Sequence, residues 1–129
     1  MAVRHFSDLI VWQKGMDLAE QVYRLTESFP RREMFGLSNQ IRRASVSVPS
    51  NIAEGQGRSS TDDFLRFLYM AKGSLQELEI QAILSGRLKF LSEPDFLQLK
   101  PRIDEVARIL NGLIASLCRA GALRLTTDH

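Results

Sequence analysis

FGLSNQIRRASVSVPSNIAEGQGRSS, residues 35–60, joins a long helical pattern to a proline, two glycines and the start of a new helix. Its apolar residues recur at steps of three and four and so line one side of a helix: Leu37, Ile41, Ala44, Val48 and Ile52. Pro49 interrupts this run and must bend the helix or remove one of its hydrogen bonds. We expect Gly55 or Gly57 to end the helix with a positive backbone torsion.

Apolar patterns on both sides of this stretch extend the prediction to four helices. Their expected ranges are about residues 8–28, 33–54, 60–88 and 95–119. Asp8 and Ser60 are the expected caps of the first and third helices, and Pro101 should delay or bend the fourth. Short connections make helices one and two, and helices three and four, antiparallel neighbours. The sequence therefore predicts one all-α domain over residues 1–129, an antiparallel up-down-up-down four-helix bundle.

The first three helices carry more apolar surface than a single core contact needs. On the first helix, the stripe expected to face the core comprises Leu9, Trp12, Met16, Ala19 and Tyr23. Further apolar residues lie off the expected core faces: Val11, Leu18, Leu25, Val46, Pro49, Ala53, Tyr69, Ile80 and Leu84. Because exposed patches of that extent are uncommon on soluble monomers, we expect these residues to form the interface of a homo-oligomer.

Composition points to a soluble protein of the reducing cytoplasm. The single cysteine, Cys118, cannot form an internal disulfide, and its place beside the apolar side of the last helix predicts a buried, inert thiol. No apolar run approaches the roughly 18 residues that a membrane span needs, so we expect no membrane association or export. The chain has 17 basic and 15 acidic residues, a net charge of +2, so any nucleic-acid surface must be local.

The sequence offers little material for catalysis. Its two histidines, His5 and His129, lie near the termini without a fixed partner. Ser45, Ser47 and Ser50 have no adjacent base and are expected to permit close helix packing. A carboxylate metal site in a helical bundle requires Glu-x-x-His pairs, and the sequence has none. We therefore expect no enzymatic activity, catalytic residue, metal or cofactor.

The segment from Gly55 to Ser60 has a second interpretation as an anion site, because glycines before a helix start can cradle phosphate. It lacks the lysine of a phosphate-binding loop, so the structural interpretation, a helix end, is favoured. Trp12 and Tyr23 lie on the expected core stripe and are not expected to stack on bases. Tyr69 lies off the main face of the third helix, so base stacking by its ring is left as an alternative.

The chain resembles the four-helix-bundle proteins encoded by intervening sequences of bacterial 23S ribosomal RNA genes. The likeness runs from Phe6 to about Leu91 and is carried by Asp8-Leu9 with Trp12, Phe29-Pro30, Phe35-Gly36-Leu37, Gln40 to Arg43, Pro49 to Gly55, Gly57-Arg58, and Gly73-Ser74-Leu75 with Glu77-Leu78-Glu79. The same fold is similar to the accessory proteins of diversity-generating retroelements. The resemblance implies a helical barrel that binds nucleic acid and a homopentamer, a ring of five subunits around a central channel.

Basic residues are the candidate contacts to RNA or DNA: Arg42, Arg43, Arg58, Arg31, Arg32, Arg66 and Lys72. Arg42 and Arg43 lead because the family motif contains them. Contacts to phosphate would give salt-dependent, largely sequence-independent affinity, which a ring would multiply. For each residue, a solvated charge or an intersubunit ion pair is the alternative. The competing function is an adaptor that recruits a protein such as a reverse transcriptase, and no convergent polar cluster supports a small-molecule site.

Overall fold

The structure, a computed structural model, describes the backbone of residues 5–127 and the side chains of residues 5–121. Over the described backbone it contains four α-helices, two short 3-10 helices and no strand. The α-helices are α1 (Ile10–Thr26), α2 (Leu37–Gln56), α3 (Thr61–Arg87) and α4 (Glu93–Thr127), and the 3-10 helices are Phe6–Asp8 and Arg31–Glu33. The predicted all-α class and four-helix bundle are confirmed.

One hydrophobic core holds the four helices together. α1 packs on α2 and α4, and α3 packs on the same two helices. The largest apolar side chains that are fully buried come from every helix: Leu18, Ile41, Ile52, Leu68, Leu78, Leu99, Ile103 and Leu110. Burying one such side chain contributes roughly 1.5–3 kcal/mol relative to leaving it exposed. The buried side of each helix therefore determines which side faces solvent.

The helix ends differ in part from the prediction. Asp8 does not cap α1, because Asp8 is the last residue of the preceding 3-10 helix. The residue before α1 is Leu9, whose side chain makes no capping hydrogen bond. Ser60 does cap α3, since its hydroxyl accepts a 3.1 Å hydrogen bond from the Asp63 N–H. Pro101 lies inside α4, which begins at Glu93, so the alternative of a late helix start is excluded.

The expected positive torsion at the end of α2 is wrong. Gly57 has a φ of −75° and Gly55 lies within the helix. The absence of a side chain at Gly55 serves packing instead, because a Cβ atom there would lie 2.7 Å from the Cβ of Phe67 on α3. Among the described residues other than glycine, the positive φ is at Lys89, 66°, between α3 and α4.

The two apolar stripes of α1 are partly reversed relative to the prediction, since Ala19 is buried and Leu9 and Trp12 pack against the core as expected. Val11 and Leu18 are only 2% and 0% exposed, whereas Met16 and Tyr23 lie at the surface. The reason is close packing on α2: a Cβ atom on Gly15, in the same buried row, would contact Pro49 at 3.6 Å. The smaller side chains of α1 therefore face the core, and its larger ones flank it.

This reversal corrects part of the predicted oligomer interface. Val11 and Leu18 are buried within the subunit, so they cannot contact a partner, whereas Pro49 is largely buried but lines a surface groove between α1 and α2. Leu25 and Ala53 are half-buried, and the remaining candidates are exposed: Val46, Tyr69, Ile80 and Leu84.

Cys118 is exposed, contrary to the expected buried thiol. It follows the half-buried Leu117 by one position, which turns it about 100° around α4 and away from the core. Within the described residues, no helix combines the length and the apolar character needed to cross a membrane.

Candidate functional site

Arg42 is held against the end of α1. Its Nε donates a 2.7 Å hydrogen bond to the Thr26 hydroxyl, and one Nη donates to the Tyr23 carbonyl at 3.3 Å. The guanidinium also lies over the Tyr23 ring, 4.8 Å from its centroid. The last carbonyls of a helix carry partial negative charge, so this position suits a cation. Arg42 therefore uses Nε and one Nη inside the subunit and keeps its other Nη group free of bonds to the described residues.

Arg43, the adjacent residue, is in a different situation. Its side chain is exposed, and it makes no hydrogen bond or ion pair with the described side chains. The same holds for Arg31, in the 3-10 helix before α2, whereas Arg32 lies over the Phe90 ring at 5.6 Å. Lys72 is half-buried and also lacks a partner among residues 5–121. These cations are available to an external anion.

Arg58 and Arg66 form a cluster with Phe67, across the turn between α2 and α3. Their guanidinium groups lie 4.8 Å and 4.7 Å from the centroid of the Phe67 ring. Arg58 also pairs with Glu54 at 2.8 Å, and Arg66 pairs with Asp63 at 3.7 Å. Both positive charges thus have an acidic neighbour, which reduces the local positive potential.

The same turn does not form the anion cradle considered for Gly55 to Ser60. The N–H groups of Gly57 and Arg58 donate to the carbonyls of Ala53 and Gly55. The Ser60 hydroxyl is occupied by the cap of α3. These backbone bonds favour the structural interpretation of the segment.

An apolar groove of about 620 Å³ lies between α1 and α2 and is named here the α1–α2 groove. Its apolar lining comprises Phe6, Trp12, Met16, Ala19, Tyr23, Val46, Pro49 and Ala53, and its polar lining comprises Glu20, Arg24, Glu27 and Ser50. Trp12 and Tyr23, which were expected in the core, therefore line a surface groove. Tyr23 is exposed, whereas Trp12 is half-buried and also packs against the core.

One side of α3 exposes four large apolar side chains, named here the α3 ridge, of which three lie within two turns and Tyr69 lies about three turns earlier. It comprises Tyr69, Ile80, Ile83 and Leu84, whose exposed fractions are 52%, 65%, 40% and 45%. An isolated exposed apolar side chain is ordinary, but a row on one helix marks a surface suited to contact with another molecule.

A more polar pocket of about 370 Å³ lies where the end of α1 meets the start of α2, and is named here the end pocket. Its lining comprises Thr26, Glu27, Phe29, Pro30, Arg31, Met34, Ser38, Asn39 and Arg42. The fold thus brings Arg31 and Arg42 together, and it adds Thr26, Ser38 and Asn39, which sequence reasoning missed. The sequence held one indication of this pocket: Ser38 is a polar residue next to Leu37, on the buried side of the helical pattern.

The serines of α2 make contacts within the bundle. The Ser45 hydroxyl donates to the Arg42 carbonyl at 2.7 Å, and the Ser47 hydroxyl lies 2.8 Å from that of Ser74 on α3. Ser50 is exposed at the α1–α2 groove. The described residues contain no group of three His, Cys, Asp or Glu side chains placed to hold a metal ion. His5 Nδ1 lies 2.7 Å from the Ser7 hydroxyl, and His129 lies outside the described residues.

Comparison with known proteins gives a family match and a structural match. The profile of the family described as 23S rRNA-intervening sequence protein matches residues 7–112. A crystal structure from Bacteroides thetaiotaomicron, described as a protein with unknown function from the S23 ribosomal protein family, superposes with a TM-score of 0.76. It is 24% identical, and the alignment covers 81% of this chain and 98% of that one. At this identity the likeness supports the fold alone. No curated protein matches the chain.

Proposed function

The chain belongs to the 23S rRNA-intervening sequence protein family, and from that membership we propose a non-enzymatic, homo-oligomeric bundle that binds the backbone of RNA or DNA through basic surface residues. The single observation that carries the proposal is the difference between the arginines. Arg43 and Arg31 are exposed and lack an acidic partner among residues 5–121, so no internal ion pair must break before they bind phosphate. Affinity of this kind falls with salt and depends little on sequence.

The proposed subunit is an up-down-up-down bundle. Support comes from contacts that join the end of one helix to the beginning of the next. Arg42, early in α2, bonds to Thr26 at the end of α1. Gly55, late in α2, lies against Phe67 early in α3, and Gly86, late in α3, lies near Phe96 early in α4. Such end-to-start contacts are those of antiparallel neighbours.

The proposed assembly is a ring. The α1–α2 groove and the α3 ridge are two different apolar surfaces on one subunit. When one surface of a subunit binds a different surface of the next, the contact is heterologous and closes into a ring if the rotation permits. The number five rests on the family resemblance. A ring would repeat each exposed arginine around an axis and so multiply a weak contact.

Filter binding with RNA and with duplex DNA at several salt concentrations tests the function. We expect binding near roughly 50 mM salt and a linear fall of log affinity with log salt concentration. Arg43→Gln should reduce that slope by about 0.7 per contacting residue on single strands. Arg108→Gln is the matched control, because Arg108 is also exposed on a helix and lacks a partner among the described side chains. Affinity that is indifferent to salt would reject the proposal.

The adaptor function remains the second candidate because the α1–α2 groove is apolar and wide enough for side chains of a protein partner. An adaptor would retain its partner at high salt and after nuclease treatment, since apolar contacts are not screened. Loss of the partner under either condition would contradict it.

A further inference from the structure

We propose that the end pocket binds a phosphate group. The phosphate can be a free ion or part of a nucleic acid. In the second case this inference rests on the proposed function and names where one backbone phosphate sits. The pocket lies at the surface between α1 and α2, and its lining combines two arginines with the first turn of α2.

Ser38 supplies the observation that points to a ligand. The residue is only 8% exposed, and its hydroxyl makes no hydrogen bond with any described residue. The Ser38 oxygen is not itself a fully buried atom, so it is open to the end pocket, where water or a ligand can bond to it. A phosphate in the end pocket can therefore accept a hydrogen bond from this hydroxyl, which has no competing partner in the described chain.

The first turn of α2 adds backbone donors beside this hydroxyl. α2 begins after Gly36 without a side-chain cap, and only the Leu37 N–H is satisfied locally, by a Glu33 carboxylate oxygen at 3.2 Å. The next N–H groups, of Ser38 and Asn39, have no acceptor within the helix, because the first four amides of any helix lack one. Amides of this kind and the positive end of the helix dipole bind phosphate.

Two guanidinium groups supply the charge. Arg31 lines the pocket without an internal partner, and Arg42 lines it with one Nη group not used in its bonds to α1. Arginine is suited to phosphate because its N–H groups can bind two oxygens at once. The Glu27 carboxylate also lines the pocket and opposes an anion. Its removal should therefore tighten binding.

The test is a titration of the full chain with sodium phosphate at constant ionic strength, followed by NMR of the backbone amides. We expect saturable shifts at Ser38 and Asn39, and much smaller shifts when chloride replaces phosphate. Ser38→Ala and Arg31→Gln should each weaken phosphate binding by about tenfold, as loss of a charge-assisted hydrogen bond does. Glu27→Gln should strengthen it. Arg108→Gln is the matched control, since Arg108 is exposed on α4, lacks a partner among the described side chains and does not line the pocket.

A second arm uses a short single-stranded RNA in place of phosphate. Shifts at the same amides, competed by free phosphate, would assign the pocket to a nucleic-acid phosphate. Phosphate shifts without RNA shifts would support a free anion as the ligand. No saturable shift up to roughly 20 mM phosphate, or equal weakening by Arg31→Gln and Arg108→Gln, would overturn the inference. RNA binding that leaves Ser38 and Asn39 unperturbed would overturn the assignment to a nucleic-acid phosphate, while the proposed function would stand.

Discussion

Arg42 donates a 2.7 Å hydrogen bond from Nε to the hydroxyl of Thr26, and that hydroxyl in turn donates to the carbonyl of Val22 at 2.8 Å. A charged side chain of α2 is thus connected through a buried hydroxyl to the last turn of α1. Thr26 is only 4% exposed, so water cannot readily replace the arginine. Arg42 therefore has a structural role that its neighbour Arg43 does not share.

Arg42→Gln should lower the free energy of unfolding by about 1–2 kcal/mol, because a buried acceptor loses its charged donor. Arg43→Gln should change it by less than about 0.5 kcal/mol, as an exposed substitution usually does. Urea denaturation followed by circular dichroism measures both. Equal stability of the two variants would contradict the assignment. Any loss of RNA binding in the Arg42 variant must be read against this change in stability.

Gly55→Ala should destabilise the chain by about 1–3 kcal/mol, because the added methyl group would overpack against Phe67. Gly112→Ala is the control. Gly112 also lies inside a helix, but a Cβ atom there would meet nothing within 4 Å, so alanine should gain up to about 1 kcal/mol. Thermal melts should therefore move in opposite directions. A shift of the same sign in both variants would disprove the close approach of α2 and α3.

Lys100 on α4 pairs with two carboxylates, Glu79 across on α3 and Asp104 one turn along its own helix. Its hydrogen bonds to Asp104 and, at 3.0 Å, to Glu79 raise the pKa of Lys100 above 10.5. Since the folded pKa is above the unfolded one, this stabilisation is complete below the unfolded pKa and is lost as pH rises through the folded pKa. Lys100→Met should cost about 0.5–1 kcal/mol at neutral pH, because the groups are partly solvated.

The difference in unfolding free energy between the wild type and Lys100→Met should shrink above about pH 10.5. Lys72→Met is the control, because Lys72 has no acidic partner among the described side chains. Chemical denaturation at a series of pH values gives both curves. A constant difference across the alkaline range would argue against the ion pairs.

Replacing Ile80 and Leu84 together by glutamate should dissociate the proposed ring, because two carboxylates in every subunit interface would have to be desolvated. Light scattering coupled to gel filtration should then give the mass of one chain, 14.6 kDa. Leu97→Glu is the control, since Leu97 is 61% exposed on α4 and lies outside the α3 ridge. A wild-type chain that already runs as a stable monomer would remove the basis for the ring.

Much of the fold was predictable because it follows from local pattern. Apolar residues at steps of three and four predict the helices, and Ser60 before Asp63 predicts the start of α3. The orientation of α1 was not predictable in the same way. Val11 and Met16 both belong to apolar stripes, and the choice between stripes depends on how closely Gly15 lets α2 approach.

The candidate sites show the same division. Basic residues can be selected from the sequence, but their availability depends on partners from other helices, as the contrast between Arg42 and Arg43 shows. The end pocket depends on Thr26, Arg31 and Ser38, which come from three elements. Its side chains converge only after α1 and α2 have packed, so no spacing in the sequence encodes it.

The left-handed backbone at Lys89 has a consequence for the evolvability of this chain. A φ of 66° is disfavoured for lysine by roughly 1 kcal/mol, whereas glycine adopts it freely and asparagine nearly so. A substitution that relieves this strain in the hairpin between α3 and α4 should therefore raise the unfolding temperature. Laboratory selection at rising temperature should reach Lys89→Gly or Lys89→Asn early, because a single substitution there relieves the strain without touching the interior.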